Sequence, residues 1–320
     1  MLDEVLSAAA VRDGDTVVDA TFGNGGYSEA FLKAAKCDVI GLDRDPNVQS
    51  RAGELASQYP GRFRLVETPF SRMDEQDLPS VDVVVFDIGV SSMQLDQSAR
   101  GFSFMRDGPL DMRMSQSGPN ARDAVMQLSE DELTTLFQVY GEEKRARRAA
   151  RQIVEARREG DIATTGQLAE IIETAIGRTG KIHPATRVFQ ALRIFINDEL
   201  GELYRGLCAA EAILKPGGRL VVVTFHSLED RIAKQYLRER AGETQGGSRY
   251  APAVQDNGPA ASFTLPRRSV VKPTREEEAV NPRARSAKLR LAVRTEAPAL
   301  PRDLDWSPVK RALPTLEQLS

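Results

Sequence analysis

The chain has 320 residues, 41% of them hydrophobic and 28% charged, with a net charge of −3, so it reads as one large or two modest soluble globular domains and not as a basic nucleic-acid magnet. Cys37 and Cys208 are its only cysteines, which argues against a disulfide framework or a zinc site and fits a reducing compartment. No apolar run approaches the roughly 20 residues of a membrane span, and the start Met-Leu-Asp-Glu has neither the basic flank nor the apolar core of a signal peptide, so a cytoplasmic protein without a membrane partner is expected.

Residues 3–10 read as a short helix with Leu2, Val5 and Leu6 on one side. Short apolar runs follow at 16–20, 39–42, 63–66 and 81–88, with helical patterns between the first three. Strands alternating with helices predict an α/β domain with a parallel sheet covered on both faces. Val81-Asp82-Val83-Val84-Val85-Phe86 is apolar enough for a central strand buried on both sides.

The first strand ends in Asp19 and turns through Gly23-Asn24-Gly25-Gly26 into a helix. The second ends in Asp43, seventeen residues beyond Gly26. Glycines let the backbone approach a nucleotide-like ligand, and an acid after strand two can accept ribose hydroxyls. A dinucleotide fingerprint needs G-x-G-x-x-G, and Ser28 stands where its last glycine belongs. An acid four residues ahead of G-x-G instead resembles the first motif of class I S-adenosylmethionine (SAM) methyltransferases. SAM is therefore favoured over NAD, with a dehydrogenase and a ligand-free turn as the other readings.

Ligands of open α/β sheets bind beyond the carboxyl ends of the strands. Residues Asp19 to Gly26, Asp43, Pro69-Phe70 and Asp87 all lie at such ends. Each has a plainer alternative: Asp43 as the cap of a helix opening at Pro46, Phe70 as core, and Asp87 as acceptor for neighbouring backbone amides. The stretch Asp87-Ile88-Gly89-Val90-Ser91-Ser92-Met93-Gln94 lies where amino-group methyltransferases place a substrate-facing loop. There a carboxylate can align an exocyclic amine and stabilise the positive charge that develops on it, which makes Asp87 the candidate catalytic acceptor. His183 and His226 are the only histidines and lie 43 residues apart. No third ligand shows metal spacing, so no metal is expected. A hydrolase is disfavoured because no G-x-S-x-G elbow is present. His226, after the fifth strand, faces the crevice either as a substrate contact or as a structural group.

From Gly89 to about Gly118 the composition predicts a long functional loop, and the next ~90 residues carry only helical signals. Ser129-Glu130-Asp131-Glu132 fits a capping box, and Thr164 or Thr165 caps the helix that carries Leu168, Ile171, Ile172 and Ala175. Residues 142–160 hold seven basic side chains against four acids, either a phosphate-binding face or a solvated one. A second basic stretch runs through Arg283, Arg285, Lys288 and Arg290. On the helix after Pro184, Arg187, Gln190, Arg193 and Asn197 form a polar strip that could grip phosphates or base edges, or simply face solvent. The α/β pattern resumes with a turn at Lys215-Pro216-Gly217-Gly218 and a strand behind it. Residues 241–262 read as a flexible loop, and 287–293 alternate like an edge strand. The domain reading is a discontinuous sheet domain (1–105 and 205–296), a helical insertion (106–204) and an irregular tail (297–320).

Several long words occur in order. They are Asp19-Ala20-Thr21-Phe22-Gly23-x-Gly25-Gly26, Leu42-Asp43-Arg44-Asp45-Pro46, Asp87-Ile88-Gly89-Val90-Ser91-Ser92-x-Gln94-Leu95-Asp96, Arg100-Gly101-Phe102-Ser103-Phe104, Arg187-Val188-Phe189-Gln190-Ala191-Leu192-Arg193-Ile194, Thr224-Phe225-His226-Ser227-Leu228-Glu229-Asp230-Arg231 and Asn281-Pro282-Arg283-Ala284-Arg285-Ser286-Ala287-Lys288-Leu289-Arg290. Together they closely resemble the bacterial RsmH (MraW) family, over about residues 1–294. The resemblance implies a class I SAM-methyltransferase fold, Rossmann-like with a mostly parallel seven-stranded sheet, plus an all-helical inserted subdomain. It implies methylation of the N4 amine of a cytidine in the decoding region of 16S rRNA, in the small ribosomal subunit. It also implies SAM contacts at Gly25, Gly26, Tyr27, Asp43, Phe70, Asp87 and Gln94, with Asp43 on the ribose and Phe70 near the adenine. The insertion would help hold RNA, through Arg187, Gln190, Arg193, Asn197 and, from the sheet domain, His226. Three departures stand out. Tyr27 replaces a frequent histidine, so only its backbone role carries over, and Met93 replaces a common proline. A short His-x-Pro-Val segment usual before Met1 is not in this sequence; if it helps close the site, a chain without it is expected to bind SAM and turn over poorly. A SAM-binding assembly factor without turnover, and a methyltransferase for another amine, are the competing functions.

Overall fold

The computed structural model describes residues 1–178, 183–243, 259–267, 269–303, 306–307 and 313–319. Most of the loop expected at 241–262 therefore lies outside the described residues. Two compact units result, Met1–Gly89 with Leu200–Trp306, and Val90–Glu199 with Ser307–Ser320. The breaks fall after Gly89 and Glu199, whereas the sequence reading put them after residues 105 and 204.

In chain order, the first unit begins with α1 (Leu2–Ala9), β1 (Thr16–Asp19), α2 (Gly26–Ala34), β2 (Asp38–Asp43), α3 (Gln49–Gln58), β3 (Phe63–Glu67) and β4 (Val81–Asp87). The second unit contributes α4 (Ser92–Asp96), α5 (Ala121–Gln127), α6 (Glu130–Val139), α7 (Ala146–Glu159), α8 (Thr165–Ile176) and α9 (Ala185–Asn197). The first resumes through α10 (Glu199–Ile213), β5 (Leu214–Thr224), α11 (Ser227–Arg240), β6 (Phe263–Thr264), α12 (Arg275–Val280) and β7 (Lys288–Arg294).

The seven strands run in the order β3-β2-β1-β4-β5-β7-β6. The five strands from β3 to β5 are parallel, and β7 and β6 close the sheet antiparallel. The chain steps outward from β1 to β3 and then returns to place β4 on the other side of β1. That reversal makes the carboxyl ends of β1 and β4 the switch point where such sheets bind ligands. Val17, Val18, Val84, Val85, Phe86, Leu220 and Val221 are sealed from solvent, as strands covered on both faces require. The turn read at Lys215 to Gly218 is a bulge within β5, since Val81 pairs with Leu214 and Val83 with Arg219. One expectation changes: β7 is not the edge, because β6 pairs with its end at Val293 and Arg294. Two residues of β6 cover so little of β7 that the sequence still alternates as an edge strand does.

In the helical unit the caps follow from sequence. Ser129 with Glu132 and Thr164 with Gln167 form reciprocal capping boxes, each satisfying two otherwise unpaired backbone amides. Helix α7 turns Ala146, Ala149, Ala150 and Ile153 inward, where small side chains let it lie against α6 and α8. No helix among the described residues is long and apolar enough to cross a membrane.

Candidate functional site

The loop from β1 into α2 is built on Asp19. Its buried carboxylate accepts the Ser28 hydroxyl at 2.7 Å and the Thr21 amide at 3.3 Å. Ser28, the residue that departs from the dinucleotide fingerprint, is thus the clamp that ties α2 to the strand end. Gly25 sits at φ +72°, and a Cβ there would lie 2.8 Å from the Phe22 ring. A Cβ on Gly41 of β2 would meet the same ring at 2.9 Å. Phe22 fills the space both glycines leave and holds the loop down. Beside Gly26 there is open space, as a backbone that must approach a ligand requires.

Asp43 is anchored by two amides, Gly23 N–H to Oδ2 at 2.8 Å and Asp45 N–H to Oδ1 at 2.9 Å. Its carboxylate is therefore oriented before any ligand arrives, and its remaining lone pairs can accept hydroxyls. The helix-capping alternative belongs to Asp45, whose carboxylate accepts Asn47 N–H at 3.1 Å. Phe70 opens a 3-10 turn (Phe70–Glu75) after β3 and is half-buried, edge-on to Phe86 with ring centroids 5.4 Å apart. Gly206 of α10 lies beneath it; a Cβ there would stand 2.5 Å from the Phe70 ring. No motif in the sequence signals Gly206, because the need for it arises only when α10 meets that ring.

Asp87 ends β4. Its amide donates to the Thr21 hydroxyl at 2.7 Å, but its buried Oδ1 accepts no hydrogen bond from the described residues. Burial and then the Asp19 charge push its carboxyl up to about 7. Burial, outweighing the Ser28 and Thr21 hydrogen bonds, raises Asp19 to about 6. Burial also raises Asp43. Tyr27 is half-buried, and burial with the charges of Asp87 and Asp19 pushes its phenol upward, so it stays protonated. None of the three aspartates forms an ion pair with Lys or Arg among the described residues. A buried acceptor left open costs stability unless something donates to it, and three converging acids suit a ligand that brings hydroxyls and positive charge. These residues fit SAM, which has a ribose diol, an ammonium and a sulfonium.

Only one nitrogen of His226 is taken up: Nδ1 caps α11 by accepting Glu229 N–H at 3.5 Å, whereas buried Nε2 stands 2.7 Å from Glu229 Oε1 without a hydrogen bond among the described residues. In the helical unit, Gln94 shares a capping box with Ser91 at the start of α4. The 187–197 strip is neither a plain solvent face nor an open grip. Gln190 donates to Tyr140 O at 2.9 Å, and Arg193 binds Glu199 through two nitrogens at 2.7 and 2.9 Å. Buried Asn197 accepts Met114 N–H at 2.9 Å and donates to Met112 O at 2.7 Å. Arg187 alone of the four is exposed. On α7, Arg157 is spent on the carbonyls of Val125 and Leu128, while Lys144, just before the helix, and Arg148 and Arg158 on it are exposed without an ion pair among the described residues. In the second basic stretch Lys288 and Arg290 are both taken by Asp230.

Residues 1–295 match the MraW methylase family. The chain belongs to that family. A relative from Maricaulis maris is 59% identical over 93% of this chain and 91% of its own. One from Hyphomonas neptunium is 53% identical over 100% of this chain and 94% of its own, and one from Caulobacter vibrioides 56% over 93% and 95%. All three are named ribosomal RNA small subunit methyltransferase H. Among solved structures, an rRNA methylase from Streptococcus thermophilus aligns at 11% identity over 92% of this chain and 95% of its own, with a TM-score of 0.41, a distant likeness.

Proposed function

We propose that this methyltransferase transfers the methyl group of SAM to the N4 amine of one cytidine in the decoding region of 16S rRNA, with the assembled small subunit as its partner in the cytoplasm. The observation that carries the reading is the set of carboxylates at the ends of β1, β2 and β4 that have no Lys or Arg partner among the described residues, within a chain of the MraW methylase family. Asp43 holds the ribose hydroxyls, the Gly25-Gly26-Tyr27 backbone lines the approach, and Phe70 flanks the adenine. SAM supplies the electrophilic methyl group. Asp87 Oδ1, sealed and without a donor, accepts a hydrogen bond from the amine, orients its lone pair and offsets the charge that develops on nitrogen. A carboxyl poised near neutrality can then take the amine proton. In the helical unit, which serves as the RNA-binding subdomain, Arg187 and the exposed cations Lys144, Arg148 and Arg158 meet phosphates. Gln190, Arg193 and Asn197 hold that surface in shape, and His226 positions the loop after β5 close to the substrate.

The test is methyl transfer from labelled SAM to small subunits lacking the modification, with mass spectrometry of the digested RNA. N4-methylcytidine at a single decoding-region position is the expected product. Label on another nucleoside or on protein, or no transfer by a protein that binds SAM, overturns the reading.

A further inference from the structure

The family match ends at residue 295, yet the segment that follows is tied into the sheet unit at several points. Arg294 anchors its root, donating to the carbonyls of Ser262, Thr295 and Ala297 at 2.9, 3.2 and 2.7 Å. Leu300 N–H then donates at 3.0 Å to Oε1 of Glu211, a fully buried carboxylate of α10. The other oxygen of Glu211 is taken by the Tyr236 hydroxyl and by Arg240 at 2.9 Å. Arg302 pairs with Asp74 at 2.9 Å, and Asp303 N–H donates to the Tyr204 hydroxyl at 3.2 Å. The Trp306 indole stacks flat on the Tyr204 ring, centroids 4.2 Å apart and planes 3° from parallel.

The two elements bound in this way are not arbitrary. Asp74 lies two residues past a kink at Arg72 in the 3-10 segment that begins with Phe70. Tyr204 lies on α10 two residues before Gly206, the glycine against which the Phe70 ring rests. The tail thus grips the element that carries Phe70 and the element that supports it. We infer that residues 297–303 together with Trp306 form a clasp that positions Phe70, with Trp306 and Arg302 as positioning residues that set the affinity for the adenosine half of the cofactor. This rests on the reading of Phe70 as an adenine wall. A face-to-face ring stack at Trp306 and a charge pair at Arg302 restrain both elements, and a preformed wall binds more tightly because it is ordered before the ligand arrives.

The experiment is SAM binding by calorimetry, with thermal melting, on the full chain and on Trp306→Ala, Phe70→Ala and the double variant. Trp306→Ala is expected to raise the Kd and KM for SAM about fivefold with kcat at saturating SAM unchanged, and to change the Kd less than about twofold when Phe70 is already alanine, because coupled residues are not additive. An unchanged Kd with only a lower melting temperature makes the tail a plain stabiliser and overturns the clasp. So does the same fivefold loss in both backgrounds. Should Trp306→Ala fail to fold, the pair Arg302→Asp and Asp74→Arg decides. Each alone is expected to weaken SAM binding and the two together to restore it, and no restoration overturns the proposal. A wild-type protein that does not bind SAM sinks the cofactor reading itself, an outcome distinct from an intact Kd in the tail variants.

Discussion

Four acids of the helical unit and the three strand-end acids of the sheet unit are held in opposite ways. In the helical unit Asp111 is bound by Arg113, Glu199 by Arg193, Asp161 by Arg122 and Glu173 by Arg178, so the acids are neutralised within the fold. At the strand ends of the sheet unit Asp19 accepts an amide and a hydroxyl and Asp43 two amides, no Lys or Arg of the described residues forms an ion pair with Asp19, Asp43 or Asp87, and all three carboxyls are raised. The helical unit spends its acids on holding shape and leaves cations at its surface. The sheet unit keeps acids without a Lys or Arg partner at its strand ends. One arrangement suits a polyanion outside, the other a small cationic ligand inside.

The comparison breaks first at Asp87. Replacing it with asparagine keeps the shape and removes the charge. Methyl transfer is expected to fall about 100-fold or more in kcat, the range for losing a positioned acid–base or electrostatic group, and undiminished turnover in single-turnover assays would remove Asp87 from the chemistry. Asp43→Ala is next. Two charge-assisted hydrogen bonds to the ribose are worth about 3 kcal/mol together at the low end of their range, so the Kd for SAM measured by calorimetry should rise by about two orders of magnitude, and an unchanged value denies Asp43 the ribose.

The pH dependence of stability sharpens the same contrast. Asp19 and Asp87 have folded-state values of about 6 and about 7, above the ordinary 3.8. The native state therefore binds more protons than the unfolded chain across that interval, and their contribution is full below about pH 4 and is lost as pH rises through 6 and 7. The ligand-free protein should lose melting temperature from pH 5 to pH 8 through this effect, and Asp87→Asn should flatten the slope; an identical slope in both proteins contradicts the assignment. The smallest effect belongs to the helical unit. Arg148→Ala or Arg158→Ala should weaken RNA binding a fewfold and lower the salt slope by about one, and an unaltered slope would make those cations a solvated face.

Much of this crevice was legible because strand ends announce themselves. Asp19, Asp43 and Asp87 each close an apolar run, and Ser28 stands out against a known spacing. The capping boxes at Ser129 and Thr164 were equally local. What the sequence hid depends on distance along the chain. Gly206 matters only because α10 arrives beneath Phe70, and no periodicity records that meeting. Gln190, Arg193 and Asn197 share a helical strip, which shows that they lie together but not that carbonyls and Glu199 take up their donors. The edge position assigned to β7 failed for the same reason: the two residues of β6 are too short to leave a pattern.

If the strand-end acids wait for a cationic ligand, SAM binding must release protons. Titration near pH 6.5 in buffers of different ionisation enthalpy should show protons leaving the wild-type protein as the ligand charge draws the Asp87 carboxyl down from about 7, with most of that release gone in Asp87→Asn. Binding with no proton release, or with the same release in the variant, would contradict it.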